Sequence, residues 1–188
     1  DMSDQKGFTL WFTGLSGAGK TTVAVQLIEE LKARELNAER LDGDVVRKSL
    51  TRDLGFSKED RDKNIERVTF VAKLLSRNNV AVLASFISPY RETRAMVARE
   101  TTNFIEVFVH APLEVCAERD VKGMYAKAFA GEIKNFTGVS DPCQFPLKDF
   151  ARVIRTVIQE EGTNALNYGD FDGGYRPLRE TISHILAN

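Results

Sequence analysis

Runs of apolar and β-branched residues alternate along the chain with segments whose apolar residues recur at helical spacing. Five runs predict strands, at residues 8–13, 38–41, 80–86, 104–109 and 152–156. Four segments predict helices, at about residues 22–35, 58–77, 90–100 and 112–119. This alternation predicts an α/β fold, with a parallel sheet covered by helices on both faces. Ligands of such folds bind beyond the carboxyl ends of the strands, so the candidate chemistry should lie there.

The junction between the first strand and the first helix carries the strongest functional pattern. It reads Gly14-Leu15-Ser16-Gly17-Ala18-Gly19-Lys20-Thr21 and matches the phosphate-binding loop G-x-x-x-x-G-K-T. The glycines let backbone N–H groups form an anion site at a helix N-terminus. Lys20 suits the β- and γ-phosphates of ATP, and the Thr21 hydroxyl suits Mg²⁺. A ligand-free glycine-rich turn is disfavoured because all eight positions and both flanks agree, so the pattern predicts a P-loop NTPase-type fold.

The other strand ends supply carboxylates and hydroxyls. The third predicted strand ends at Ser85-Phe86, without the carboxylate that P-loop enzymes usually place there for Mg²⁺. Asp42 and Asp44 follow the second strand and are the nearest equivalents, one toward the metal and one toward an acceptor hydroxyl. The alternative for this pair is an ordinary Asp-Gly turn. Ser88 is interpreted first as a backbone-shaping or phosphate-binding hydroxyl, because no histidine lies in a polar cluster with it.

Residues 121–140 are rich in lysine and glycine. A basic segment of this kind opposite a phosphate loop predicts a mobile lid that excludes water, and the alternative is a solvated surface loop. Arginines near the strand ends, including Arg47 and Arg61, suit bidentate capture of phosphate or sulfate, although each could equally lie on a solvated helix face.

Composition narrows the class of protein. The 188 residues suit one domain, residues 1–188, and 26 basic against 27 acidic residues argue against nucleic acid or a membrane as the main partner. No apolar run reaches membrane-spanning length and no signal peptide is visible, which favours a cytoplasmic protein with reduced Cys116 and Cys143. The first residue is Asp1, so a tag remnant precedes the natural start or the chain is a piece of a longer protein.

Beyond the phosphate loop, several longer strings make the sequence resemble the adenylylsulfate kinase (APS kinase) family over residues 7–142. The strings are Leu41-Asp42-Gly43-Asp44, Asp53-Leu54-Gly55-Phe56-Ser57, Glu59-Asp60-Arg61, Asn64-Ile65, Phe86-Ile87-Ser88-Pro89-Tyr90-Arg91, Pro112-Leu113-Glu114-Val115-Cys116, Arg119-Asp120, Lys122-Gly123, Gly131-Glu132-Ile133-Lys134 and Phe136-Thr137-Gly138. The resemblance implies transfer of the γ-phosphoryl group of MgATP to the 3′-hydroxyl of adenosine 5′-phosphosulfate, giving 3′-phosphoadenylyl sulfate and ADP.

The resemblance also implies roles for individual residues. Phe56 and Phe136 would stack on the acceptor adenine, an interaction worth about 1–3 kcal/mol per base. Asp44 would be the base toward the 3′-hydroxyl, and Ser88 matches a position described in the family as a phosphoserine, although direct in-line transfer needs no covalent step. The implied catalytic residues are Lys20, Asp42, Asp44 and Ser88; the ATP ligands are residues 14–21 and Arg119; the metal ligands are Thr21 and Asp42; and the acceptor ligands are Asp44, Arg47, Phe56, Arg61, Asn64, Ile87, Ser88, Lys122, Lys134 and Phe136.

The resemblance weakens after residue 142. The family usually continues with a Pro/Glu-rich turn, a strand ending Asp-Thr and one helix, whereas residues 143–177 follow a different pattern here. The family suggests a homodimer, and a fused or associated ATP sulfurylase is a further possible partner. Two alternatives remain for function: another small-molecule P-loop kinase, such as a gluconate or nucleoside monophosphate kinase, and a nucleotide-sensing, non-catalytic domain fused to an ATP sulfurylase.

Overall fold

In the part of the chain that the structure describes, four parallel strands form one sheet. The computed structural model describes residues 5–146, and residues 5–145 belong to one compact unit. The strand order is β2-β3-β1-β4, and every neighbouring pair is parallel. The strands are β1 Phe8–Thr13, β2 Ala38–Asp42, β3 Ala81–Ser85 and β4 Phe104–Phe108.

The extent to which each strand is buried matches the apolar or charged character of its sequence. All residues of the central strands β1 and β3 are buried, as continuous apolar runs in a parallel sheet should be. The strands β2 and β4, the outer two of the four described strands, are partly exposed and carry charged residues. The predicted α/β class and the first four predicted strands are therefore confirmed. The predicted strand at residues 152–156 lies outside the described residues, and the single domain over residues 1–188 stays a prediction.

Six helices connect and cover the strands within residues 5–146. The four predicted helices are present with ends shifted by one or two residues. Pro112, the first residue of the helix predicted at about residues 112–119, immediately precedes that helix. The helices are α1 Lys20–Ala33, α2 Gly43–Lys48, α3 Lys58–Ser76, α4 Arg91–Glu100, α5 Leu113–Arg119 and α6 Met124–Phe129.

The two short helices α2 and α6 were not predicted, and a carboxylate starts each of them. Asp42 accepts hydrogen bonds from the N–H groups of Asp44 (3.0 Å) and Val45 (3.4 Å), so the Asp-Gly-Asp string begins a helix rather than a free turn. Asp120 likewise accepts from the N–H of Tyr125 (2.9 Å) at the start of α6. The predicted lid therefore contains a helix.

Two apolar clusters fix the positions of the strand ends. Trp11, Val68, Ala84 and Val97 are fully buried between the sheet and α3 and α4. A second cluster joins the phosphate loop to the lid through Leu15, Cys116, Tyr125, Phe136 and Phe145. Within residues 5–146, none of the helices has the length and apolar character that crossing a membrane requires.

Candidate active site

One cavity of about 770 Å³ lies beyond the carboxyl ends of β1, β2 and β3. The segments that follow these strands form its walls, together with α3 and the lid. Among the predicted site residues, Gly14, Leu15, Ala18 and Arg119 do not line it. Those that do are Ser16, Gly17, Gly19, Lys20, Thr21, Asp42, Asp44, Arg47, Phe56, Arg61, Asn64, Ile87, Ser88, Lys122, Lys134 and Phe136.

The phosphate loop follows β1 and is held by its own glycines. Gly14 has φ +143°, and a Cβ there would lie 2.4 Å from the carbonyl oxygen of Val109. Position 14 therefore excludes any side chain. Lys20 folds back over the loop, and its Nζ donates to the carbonyls of Gly14 (3.0 Å) and Leu15 (2.8 Å).

Side chains of α5 and α6 bind the next two carbonyls of the phosphate loop. The Tyr125 hydroxyl donates to the carbonyl of Ser16 (2.9 Å), and Arg119 Nη1 donates to the carbonyl of Gly17 (3.0 Å). The C=O and N–H of a trans peptide point in opposite directions. Holding the Ser16 carbonyl therefore also fixes the direction of the Gly17 N–H. Side chains thus engage four consecutive carbonyls of a loop whose N–H groups are the predicted phosphate ligands.

We expect the substitution Tyr125→Phe to weaken binding of Mg·AMPPNP about three- to tenfold, the effect of one neutral hydrogen bond. Isothermal titration calorimetry measures the dissociation constant of Mg·AMPPNP directly. The melting temperature of the variant should differ from that of the wild type by no more than about 3 °C, because one hydrogen bond is lost. Tyr90→Phe is the matched control, since it removes a hydroxyl from the opposite wall and should leave the nucleotide affinity as in the wild type. Equal nucleotide affinity of Tyr125→Phe and the wild type would contradict a role for this hydroxyl in ordering the loop.

Lys20 is buried, and its burial together with the neighbouring charge of Lys122 lowers its pKa to about 8. A bound triphosphate favours the cation, so the pKa should rise when nucleotide binds. Lys20 is largely protonated at neutral pH in the free protein and loses its proton as the pH rises through about 8. Nucleotide affinity should therefore fall above this pH, and binding there should take up a proton.

Calorimetric titrations of Mg·AMPPNP in two buffers of different ionisation enthalpy test this expectation. At a pH of about 9 the observed enthalpy should depend on the buffer, and near neutrality it should not. Lys122→Gln removes a like charge, so the onset of proton uptake should move to higher pH. Binding without proton uptake at the alkaline pH would contradict the lowered pKa of Lys20.

Asp42 and Thr21 form the candidate metal site. The Thr21 hydroxyl donates to Asp42 Oδ2 (2.9 Å), and Arg40 Nη1 donates to the same oxygen (2.9 Å). Burial by itself would raise the pKa of the Asp42 carboxyl, but the hydrogen bonds from Thr21 and the Asp44 N–H, with the charge of Arg40, lower it overall. Asp42 is therefore ionised at neutral pH.

The Thr21 hydroxyl and the Asp42 carboxylate are suitable ligands for Mg²⁺. A hydroxyl and a carboxylate are oxygen ligands, and Mg²⁺ commonly takes one or two protein groups while substrate phosphates and waters complete its shell. Across residues 5–146 there is no group of three or more His, Cys, Asp or Glu side chains that could hold a metal alone.

Asp44 is the second residue of α2 and lines the cavity. Its carboxylate contacts Lys122 of the lid, and both side chains remain largely exposed to solvent. The pair joins the lid to the segment that follows β2. A carboxylate free to exchange partners in a polar cavity is able to accept a proton from a bound hydroxyl.

Arg61, predicted as an acceptor ligand, binds the distal end of the lid. Its Nη1 donates to Thr137 Oγ1 (2.7 Å) and to Asp141 Oδ2 (2.9 Å), and its Nη2 donates to the carbonyl of Asn135. The Tyr90 hydroxyl donates to the same Asp141 oxygen (2.8 Å). The Arg61–Asp141 pair is mostly buried, so this end of the lid is attached firmly to α3.

The two predicted stacking rings line the same cavity in different environments. Phe56 is 55% exposed, and the guanidinium of Arg47 lies 4.4 Å from its ring centre. Phe136 is only 7% exposed, with its ring perpendicular to that of Tyr125 at 5.0 Å. Asn64 is buried and accepts a hydrogen bond from the Thr51 hydroxyl (2.7 Å).

The segment after β3 is held by residues that sequence reasoning did not identify. Ser88 is 3% exposed with φ +42°, and its Oγ accepts a hydrogen bond from Trp11 Nε1 (3.0 Å). Buried Arg94 donates to the carbonyls of Ser88 (2.9 Å) and Gln144 (2.8 Å) and to Glu106 (2.6 Å). Arg94 belongs to no recognised motif. The sequence offered one indication of its role: it is a charged residue on the face of a helix that is expected to be buried, and a buried charge needs a partner.

The fold and the site together define a P-loop phosphotransferase. The chain runs from β1 of the parallel sheet through the G-x-x-x-x-G-K-T loop into α1. An aspartate at the end of β2 contacts the threonine of that loop. The cavity continues from the loop to a wall with two aromatic rings and several arginines and lysines.

Comparison with known proteins narrows the class to one family. A sequence model of adenylylsulphate kinases matches residues 6–153. The chain belongs to the adenylylsulfate kinase family, and it is a kinase.

Individual relatives agree with this assignment. A probable adenylyl-sulfate kinase of Pseudomonas aeruginosa is 76% identical over 145 residues, which are 77% of this chain and 68% of the relative. The adenylyl-sulfate kinase of Halothermothrix orenii is 54% identical over 183 residues, covering 96% of this chain and 98% of the relative. The structure of the Mycobacterium tuberculosis APS kinase CysC in complex with AMPPNP and APS superposes with a TM-score of 0.72 at 40% identity, covering 82% of this chain and 99% of that chain.

Proposed function

We propose that the protein transfers the γ-phosphoryl group of ATP directly to the 3′-hydroxyl of adenosine 5′-phosphosulfate, giving 3′-phosphoadenylyl sulfate and ADP. The observation that carries the proposal is a single cavity with a phosphate loop at one end and a carboxylate, basic groups and two aromatic rings at the other. Phosphoryl transfer depends mainly on positioning and electrostatic stabilisation, which such a cavity can provide.

On the donor side, the N–H groups of residues 14–21 and Lys20 bind the phosphates of ATP. Thr21 and Asp42 would hold Mg²⁺, which would supply neutralisation of the phosphate charge. Asp42 keeps the Thr21 hydroxyl oriented through the 2.9 Å hydrogen bond. Arg119 lies beside the loop at Gly17 and contributes to the adenine end of the ATP site.

On the acceptor side, Phe56 and Phe136 hold the adenine by stacking. Asp44 accepts the proton of the 3′-hydroxyl as the oxygen attacks the γ-phosphorus in line with the departing ADP oxygen. The remaining charged and polar acceptor ligands fix the phosphosulfate by charge and hydrogen bonds, and Ile87 lines the wall of the same cavity. The charged and polar ligands are Arg47, Arg61, Asn64, Lys122 and Lys134.

Ser88 has a positioning role in this proposal. Its Oγ already accepts a hydrogen bond from Trp11, its carbonyl accepts one from Arg94, and its side chain is almost fully buried. A serine held in this way shapes the wall of the cavity. Direct transfer to the acceptor hydroxyl requires no phosphoserine.

A coupled assay of ADP release tests the function. Adenylylsulfate should stimulate ADP release from MgATP, whereas AMP and gluconate should not. Stimulation by a control acceptor without stimulation by adenylylsulfate would favour another small-molecule kinase. ATP binding without ADP release under any condition would favour a nucleotide-sensing domain. Against that last alternative, Lys20, Thr21, Asp42, Asp44 and Arg61 are all present and line one cavity.

The setting of the enzyme also belongs to the proposal. A cytoplasmic homodimer is expected, with the association of an ATP sulfurylase as a further possibility. Phe70 and Phe129 are well exposed apolar side chains that an interface could bury. Light scattering coupled to size-exclusion chromatography distinguishes a dimer from a monomer.

A further inference from the structure

Ser85 at the end of β3 has a buried hydroxyl without a protein partner. The residue is 4% exposed and lines the cavity, and its Oγ makes no hydrogen bond within residues 5–146. Buried threonines of helices, such as Thr69 and Thr101, bond to the carbonyl four residues earlier. A strand offers no such carbonyl, and a buried hydroxyl is rarely left unsatisfied. The partner of Ser85 is therefore expected among the molecules that enter the cavity.

The place of Ser85 in the sheet identifies that part of the cavity. Ser85 pairs in register with Asp42 on β2 and with Phe12 on β1. Neighbouring strands lie about 4.8 Å apart, and residues paired in register direct their side chains to the same face. Ser85 is thus next to Asp42, whose carboxylate contacts the Thr21 hydroxyl.

The hydrogen bonds of Asp42 show why a second group is useful there. A carboxylate offers about four lone-pair sites. The N–H groups of Asp44 and Val45 occupy Oδ1, and Thr21 and Arg40 occupy Oδ2. A metal that Asp42 holds displaces one of these four hydrogen bonds, so Asp42 has little capacity left for the waters of that metal. Mg²⁺ keeps several such waters, and each needs an acceptor.

We propose that Ser85 Oγ belongs to the magnesium site and accepts a hydrogen bond from a water bound to the metal. It takes the place of the carboxylate that P-loop enzymes usually carry at the end of this strand. A neutral hydroxyl is a weaker acceptor than a carboxylate, so the metal depends more strongly on the nucleotide phosphates. This inference rests only on the donor half of the proposed function, the binding of a metal–nucleotide complex.

Binding of Mn²⁺ to the AMPPNP-bound protein tests the proposal, with free Mn²⁺ measured by electron paramagnetic resonance. Ser85→Ala should raise the dissociation constant of Mn²⁺ about three- to tenfold, as expected for one hydrogen bond. Binding of AMPPNP in the presence of EDTA should change by less than about twofold. Ser85→Asp restores a carboxylate and should lower the dissociation constant of Mn²⁺.

Thr9→Val is the matched control, because Thr9 Oγ1 is also buried without a partner but lies outside the cavity lining. Its Mn²⁺ affinity should equal that of the wild type. The proposal is overturned if Ser85→Ala binds Mn²⁺ as the wild type does, or if Thr9→Val weakens Mn²⁺ binding equally. No acceptor is present in this experiment, so its outcome is independent of whether adenylylsulfate is the substrate.

Discussion

Asp44→Asn should lower kcat with adenylylsulfate by about 10²–10⁴-fold, the range expected for loss of a general base. The carboxamide keeps the size of the side chain but cannot take the proton of the 3′-hydroxyl. Asp44 lies outside the phosphate loop, so the affinity for Mg·AMPPNP should remain within about threefold of the wild-type value. The measurement is the ADP-release assay together with a calorimetric titration of the nucleotide.

Two further variants separate proton transfer from the contact between Asp44 and Lys122. Lys122→Gln breaks the same ion pair but leaves the carboxylate in place, so its loss of kcat should be about tenfold or less. Asp53→Asn removes an exposed carboxylate that pairs with Arg67 outside the cavity, and kcat should not change. Near-normal turnover of Asp44→Asn would remove Asp44 as the base. Equal losses in the Asp44 and Lys122 variants would assign the effect to lid closure.

Arg61→Ala should lower kcat/KM for adenylylsulfate by about 10²–10³-fold, because it breaks a mostly buried ion pair and removes a cation from the acceptor site. The three contacts of Arg61 with the distal end of the lid are lost together. The affinity for Mg·AMPPNP should change much less, since the donor loop is bound by the other end of the lid. Steady-state kinetics with varied acceptor, combined with nucleotide titrations, measure both quantities.

Asp141→Asn separates the two consequences of Arg61→Ala, the loss of the lid attachment and the loss of a cation from the acceptor site. It weakens the attachment of the lid but leaves the guanidinium free to bind the acceptor, so kcat/KM should fall only about tenfold. Arg67→Ala provides a control on the same helix, because Arg67 also pairs with an aspartate but is exposed and distant from the lid contacts. If Arg61→Ala and Asp141→Asn lose the same activity, Arg61 acts only by holding the lid.

The sequence predicted the sheet well because its signals are local. The strands β1 and β3 are mostly apolar runs, β2 ends at Asp42, and the phosphate loop follows β1 directly. The start of α2 was missed because Asp42 has two roles. It caps the helix, and it accepts a hydrogen bond from Thr21. From the sequence, Asp42 was considered only as a candidate metal ligand or as part of a turn, and not as a helix cap.

The sequence predicted many of the residues that line the cavity, but not the contacts between them. All ten predicted acceptor ligands line the cavity, since family strings and strand ends point to the same edge of the sheet. The attachment of Arg61 to Asp141 joins residues 80 positions apart, and no pattern in the sequence connects them. The same holds for Tyr125 and Ser16, which are 109 positions apart.

Gln144 shows how the protein can tolerate divergence close to its acceptor site. It lies where the resemblance to the family weakens, yet it contacts the segment that follows β3. Its backbone N–H donates to the carbonyl of Pro89 (2.8 Å), and its own carbonyl accepts from Arg94 (2.8 Å). Within residues 5–146, only the bond from the Arg91 N–H to Oε1 uses the side chain. Backbone bonds survive most substitutions, so drift at position 144 can proceed while the wall of the cavity keeps its shape.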